Sequence, residues 1–330
     1  MALVGEPIAQ RTRPLMRVGV IFPGQGSQTV GMGVEAARAY PAAAACFTAA
    51  RTILGYDLLE VCEHGSEERL RETRYAQPAI FVTNVALAAA VGDVLEPIVS
   101  AGHSFGEYCS LTLAKALTFE TALSLVNQRG LAMQRAADRA HGAMAAVLGL
   151  APDLLREAVA QAVNRGAGRV QLANFNAPGQ IVISGDATAV RVAGELALEA
   201  GAKRVIQLNV AGAWHSALMN PARDEFRPQV EAAPVMPPRF AVISNVDAIP
   251  YTDVEQIKTN LIRSVTDEVL WHDTAVAMAA MKLDLIVEFG ASPVLAPMMK
   301  RIEGAPKAIT VSDAAGVEKL RALLAPASVS

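Results

Sequence analysis

The stretch AGHSFGEYCS at 101–110 places Ser104 two positions from a glycine on either side, with His103 just before it. Gly-x-Ser-x-Gly between an apolar run and a helical pattern is the spacing of a nucleophile elbow, a sharp strand-to-helix turn that presents a hydroxyl at the end of a sheet. The chemistry open to such a serine is acyl transfer through a covalent ester. Backbone N–H groups at the start of the following helix, and its dipole, favour negative charge where an oxyanion would develop. The alternative for the same residues is a tight turn whose serine only caps the helix.

A serine hydroxyl needs a base, and the chain has five histidines: His64, His103, His141, His215 and His272. His103 is a poor choice, because neighbours at a strand end point in different directions. His64 and His141 fall in polar connecting segments. His215 follows VIQLNV and AGAW on a loop that returns to the larger part of the chain, where a cleft is expected, and it is the candidate base. As a general base it would contribute about 10²–10⁴ in rate; a structural histidine is the other reading. Arg129 falls in the helical pattern TFETALSLVNQRGLAMQRA (118–136), on the apolar face of Ala122, Val126 and Met133. A guanidinium there needs an anionic partner, either an internal carboxylate or a ligand's, which it would grip bidentately.

These residues need a scaffold. Strand patterns at 17–22 (RVGVIF), 96–102 (EPIVSAG), 239–246 (RFAVISNV) and 283–290 (LDLIVEFG) alternate with long Ala/Leu-rich helices, which predicts an α/β fold with a mostly parallel sheet. Loops at the carboxyl ends of those strands are the place for function. Between them the pattern changes: a strand at 142–150, a helix at 152–166, two strands within 169–185, a helix at 186–201 with Asp186 as N-cap, and a strand at 203–210. This β-α-β-β-α-β order is ferredoxin-like. The chain therefore divides into a weakly ordered tail (1–16), a large α/β unit (17–140 and 210–330) and an inserted ferredoxin-like unit (141–209), with a cleft between the two units.

Bulk composition narrows the function classes. A chain of 330 residues with 52% hydrophobic side chains can bury a substantial core, and a net charge of −3 gives no cationic footprint for nucleic acid or an anionic membrane. Cys46, Cys62 and Cys109 fit neither a disulfide framework nor a metal knuckle, which points to a reducing cytoplasm and buried thiols. No apolar run is expected to reach the roughly 18 residues of a spanning helix. The N-terminal residues lack the apolar core of a secretory signal.

Taken together, FPGQGSQTVGMG (22–33), GHSFGEY (102–108), NQRGLAMQ (127–134), NFNAPGQIVISG (174–185), GAWHSALM (212–219) and SNVDA (244–248) resemble the malonyl-CoA:acyl carrier protein transacylase family, in its order and spacing from about residue 17 to about 305. The resemblance implies a large α/β-hydrolase-like domain with the inserted subdomain. It implies Ser104 as acyl-accepting nucleophile, His215 as general base and acid, and the backbone N–H groups of Gln25 and Phe105 as the oxyanion hole. Arg129 would bind the free carboxylate of a malonyl group, with His103, Met133 and Trp214 around the substrate. A backbone carbonyl at Ser264, where many members have Gln, would orient the histidine. Trp214, where Phe is frequent, and Phe105, where Leu is frequent, should crowd a C2 branch and favour malonyl over methylmalonyl.

The implied reaction takes malonyl-CoA as donor and the phosphopantetheine thiol of an acyl carrier protein as acceptor, in fatty acid or polyketide synthesis, with no metal or resident cofactor and as a monomer. Arg263, Lys300 and Arg301 are candidates for a basic rim facing an acidic carrier. Rival readings are an acyl hydrolase of the same fold, transfer of a bulkier acyl group between carriers, and a carrier-binding scaffold without chemistry. An α/β-hydrolase proper is disfavoured by the roughly 115 residues that follow His215, and a dinucleotide site by Thr29 where a third glycine is needed.

Overall fold

A computed structural model describes residues 16–325. The tail expected at 1–16 falls outside the described residues except for Met16, which packs against the main core. Among the described residues, nine strands form two sheets. β1 (Val18–Phe22), β2 (Pro97–Gly102), β7 (Ala241–Ile243), β8 (Leu285–Phe289) and β9 (Ala308–Val311) make an all-parallel sheet in the order β7-β2-β1-β8-β9. β3 (Gly142–Leu148), β4 (Val170–Ala177), β5 (Gln180–Asp186) and β6 (Arg204–Gln207) make an antiparallel sheet in the order β4-β5-β3-β6. The α/β class with a parallel sheet and an inserted antiparallel one is the one the sequence predicts.

The parallel sheet is covered on both faces, so its strands read as continuous apolar runs with no alternation toward water. Val18, Val20 and Phe22 of β1 face one helical layer, while Ile21 joins Val99, Ala101, Trp271 and Met278 in the layer on the other side. The first layer is built around the helix Thr73–Val91. Contrary to the expectation that no apolar run reaches spanning length, that helix is long and apolar enough to cross a membrane, although Arg74, Gln77 and Asn84 interrupt it. It is largely buried and serves here as a core helix. The inserted sheet has its own core of Val147, Leu155, Leu172, Ile183 and Val190 under the helices Pro152–Asn164 and Ala187–Glu199.

Two local expectations are corrected. Asp186 stands at the N-cap of its helix, but its carboxylate instead accepts from the Arg169 backbone N–H at 2.7 Å, tying β5 to the start of β4. The strand expected over 239–246 is only three residues long, because the chain leaves the sheet at Ser244. The outer edge of β4 is also not free: Val269 donates to the Ala173 carbonyl at 2.8 Å and accepts from the Phe175 N–H at 2.9 Å, a one-residue parallel bridge from the large unit.

Candidate active site

Register brings three loops to one place. Phe22 lies beside Gly102 and Ala101 beside Ile243, so Gln25, Ser104 and Asn245 all stand two or three residues past the carboxyl ends of adjacent parallel strands. This is where open α/β sheets place their ligands. Ser104 itself has a φ of 53°, the left-handed region, as the elbow demands. Both flanking glycines are required by space. A Cβ on Gly102 would lie 1.9 Å from the Gly106 carbonyl carbon, and one on Gly106 would lie 2.4 Å from the Phe22 oxygen.

Ser104 Oγ lies 2.9 Å from His215 Nε2. The other ring nitrogen, Nδ1, lies 3.2 Å from the Asp267 carbonyl, which can only accept, so Nδ1 carries the proton and Nε2 presents its lone pair to the serine. The backbone at Ser264, where the orienting carbonyl is expected, raises the His215 pKa less than the Asp267 carbonyl does. The helix Val254–Arg263 ends there, and the turn that follows brings Asp267 to the histidine, while the Ser264 hydroxyl bonds to Leu261. Burial, the Arg129 guanidinium and the His103 ring together push His215 down to about 3, so its imidazole is neutral at physiological pH. His215 also has a left-handed φ of 57°. Gln171 of the inserted sheet holds this turn: its amide donates to the His215 and Thr266 carbonyls at 3.3 Å each, and its oxygen accepts from Ala217 N–H at 3.0 Å.

Arg129, 1% exposed, donates to Ser104 Oγ at 3.2 Å and to Gln77 Oε1 at 2.9 Å, while its Nε has no partner. Of the two partners the sequence left open, the internal one is missing: among the described residues no carboxylate pairs with it. A charge buried this way beside a reactive hydroxyl is unfavourable unless an anion arrives. The cavity in front of Ser104, about 170 Å³, is lined by Gln25, Phe105, Arg129, Met133 and Trp214 among others. The backbone N–H groups of Gln25 and Phe105 make no hydrogen bond to any described group and stay available to a ligand oxygen. The Trp214 ring folds back over Gly212, leaving no room there for a Cβ. His103 turns away from the serine, as its neighbour position predicts, and meets Asn176 Oδ1 at 2.9 Å.

The remaining expectations scatter. His64 and His141 are exposed. Cys62 and Cys109 are buried, Cys46 partly so. Among the described residues no three His, Cys, Asp or Glu side chains gather as a metal would require. Of the proposed basic rim, Arg263 is engaged by Asp247 and Asp267, and Arg301 by Gln180 and the Pro178 carbonyl. Lys300 is exposed. Sequence reasoning missed Gln77, Gln171, Asn176 and Asn245, four carboxamides that orient the reactive groups. Asn176 and Asn245 lie within quoted motifs, the only signal available for them.

Comparison with known proteins gives the same picture. Residues 20–320 match the acyl transferase domain family. The malonyl CoA-acyl carrier protein transacylase of Haemophilus influenzae is 38% identical over 313 residues, covering 94% of this chain and all of that protein. Among solved structures, an acyl carrier protein S-malonyltransferase from Vibrio cholerae superposes with a TM-score of 0.88 at 38% identity, over 92% of this chain and 99% of that one. A malonyl-transacylase solved in complex with its type II PKS acyl-carrier protein gives a TM-score of 0.89 at 35% identity, over 93% of this chain and 99% of that one. The chain belongs to the acyl transferase family, and within it to the malonyl CoA-acyl carrier protein transacylases.

Proposed function

We propose that this protein moves a malonyl group from coenzyme A to the phosphopantetheine thiol of an acyl carrier protein through an acyl-Ser104 intermediate. The observation that carries the reading is the buried Arg129 guanidinium, 3.2 Å from Ser104 Oγ and without an acidic partner among the described residues. It is set to receive the far carboxylate of a malonyl thioester whose carbonyl lies at the serine. Ser104 Oγ attacks that carbonyl and gives its proton to His215 Nε2. The oxyanion accepts from the Gln25 and Phe105 N–H groups, each worth about 3–4 kcal/mol in comparable acyl transfer. As the C–S bond breaks, His215 returns the proton to the departing coenzyme A sulfur.

In the second half the carrier's thiol gives its proton to His215 and attacks the ester carbonyl. The tetrahedral adduct collapses, Ser104 Oγ leaves and is reprotonated by His215, and malonyl-carrier departs. Arg129 also argues against the hydrolase and scaffold readings, since neither needs a carboxylate grip beside the nucleophile. Trp214 and Phe105 crowd the position of a C2 branch and favour malonyl over methylmalonyl. In this reading the protein acts as a cytoplasmic monomer without metal or resident cofactor, and partners neither nucleic acid nor membrane. Incubation with malonyl-CoA, methylmalonyl-CoA or acetyl-CoA, followed by holo carrier protein, tests it by intact mass. A malonyl adduct that is lost in Ser104→Ala and passes to the carrier is expected. Decay of the adduct to free malonate, or no adduct, refutes the reading.

A further inference from the structure

A serine held at a φ of 53° is in a backbone region that costs an L-residue energy, and something must hold it there. The Asn245 side chain grips both peptide groups of Ser104: its Oδ1 accepts from the Ser104 N–H at 2.9 Å, and its Nδ2 donates to the Ser104 carbonyl at 3.0 Å. That grip works in only one orientation of the amide. Glu107 sets it. Its carboxylate accepts from Asn245 Nδ2 at 2.7 Å, from the Asn245 backbone N–H at 3.2 Å and from Tyr251 Oη at 2.6 Å. All three residues are buried, and Glu107 and Asn245 are almost without exposure. None of them is needed to explain the reaction steps above.

We propose that Asn245 is a positioning residue that holds the nucleophile in its left-handed turn, and that Glu107 and Tyr251 fix the Asn245 amide in the orientation this grip requires. The inference rests on the reading of Ser104 as nucleophile. It goes further in making the serine's placement depend on a buried carboxylate that meets only donors. A protonated Glu107 would turn a hydrogen toward one of those donors and loosen the amide. Burial pushes Glu107 up to about 7, against the Tyr251 and Asn245 hydrogen bonds and the Arg129 charge on the facing helix, which lower it. Tyr108, the neighbouring ionisable group on the same helix, is itself pushed far above its usual range by burial and stays neutral. Acylation should therefore lose rate as pH falls through neutrality. His215, held near 3, titrates well below that window.

The test is single-turnover acylation by malonyl-CoA, read by quench and intact mass from about pH 5 to 9, on the wild type and on Asn245→Ala, Glu107→Gln and Tyr251→Phe. Asn245→Ala is expected to slow acylation about 10- to 100-fold at unchanged KM. Glu107→Gln should acylate slowly and lose the near-neutral limb. Tyr251→Phe should move that limb to higher pH, because the Tyr251 hydrogen bond lowers Glu107. Should Asn245→Ala fail to fold, the pH profiles of the other two decide. Wild-type rate and profile in the variants, or a lower Tm with acylation unchanged, would overturn the proposal. A wild type that forms no Ser104 adduct overturns the nucleophile reading instead, and this inference falls with it.

Discussion

If Arg129 receives the malonyl carboxylate as proposed, replacing it by alanine should remove the preference for malonyl-CoA over acetyl-CoA. The guanidinium lines the cavity in front of Ser104, donates to Ser104 Oγ and Gln77 Oε1, and has no acidic partner among the described residues. Two charge-assisted hydrogen bonds to a malonyl carboxylate contribute about 1.5–3 kcal/mol each, or about 3–6 kcal/mol together. At 1.4 kcal/mol per factor of ten, kcat/KM for malonyl-CoA should fall about 10²- to 10⁴-fold. Acetyl-CoA has no carboxylate to lose and should be used at least as well as before. The charge also lowers Glu107, so its removal should shift the near-neutral acid limb of acetyl transfer to higher pH. Because the free protein buries this charge unpaired, Tm should change by no more than a few degrees. Acylation rates by intact mass with both thioesters, together with a thermal melt, make the comparison. An equal fall for malonyl-CoA and acetyl-CoA would refute the argument, since it would make Arg129 a support for Ser104 and not a carboxylate receptor.

Three other outcomes follow from distances and burial. Gly102→Ala drives a methyl group into the Gly106 carbonyl and should abolish acylation and lower Tm by well over the few degrees of an ordinary surface change, measured by circular dichroism. Gln171→Ala frees the left-handed turn at His215 and should slow both acylation and carrier transfer about tenfold while malonyl-CoA KM stays constant, seen in half-reaction kinetics. Stability should depend on pH in two opposing ways. His215, depressed in the fold, gives stability that is complete above its unfolded value near 6.5 and lost as pH falls toward about 3. Glu107, raised to about 7, favours the fold below its unfolded value near 4.3 and withdraws that support as pH rises through 7. Glu107→Gln leaves the His215 trend unopposed and should therefore raise Tm at pH 8 relative to Tm at pH 5.

The sheet strands were legible where burial on both faces writes a long apolar run, as in RVGVIF and LDLIVEFG. β9 (AITV) was not, because four residues of mixed exposure after a polar linker carry no periodic signal. The inserted unit was readable almost element by element, since each strand and helix there has its own Gly, Pro or Asn punctuation. Ser104 could be found because two glycines are sterically obligatory around it, and His215 because few histidines compete. The groups that orient them could not. Asn245 is 141 residues from Ser104, Gln171 is 44 from His215, and single carboxamides are too common to stand out. The Asp267 carbonyl is a main-chain group, available at every position, and only the turn after the helix Val254–Arg263 selects it over Ser264.

The Val269 bridge to β4 joins two properties that are usually separate. An uncovered strand edge invites pairing with another chain. In this protein the segment that covers the β4 edge also carries, two residues earlier, the Asp267 carbonyl that meets the His215 imidazole, the proposed base. Peeling that segment away would expose a sticky edge and misalign the base in the same event. Loss of activity and onset of aggregation should therefore share one temperature, and a molecule still able to transfer acyl groups has its β4 edge sealed.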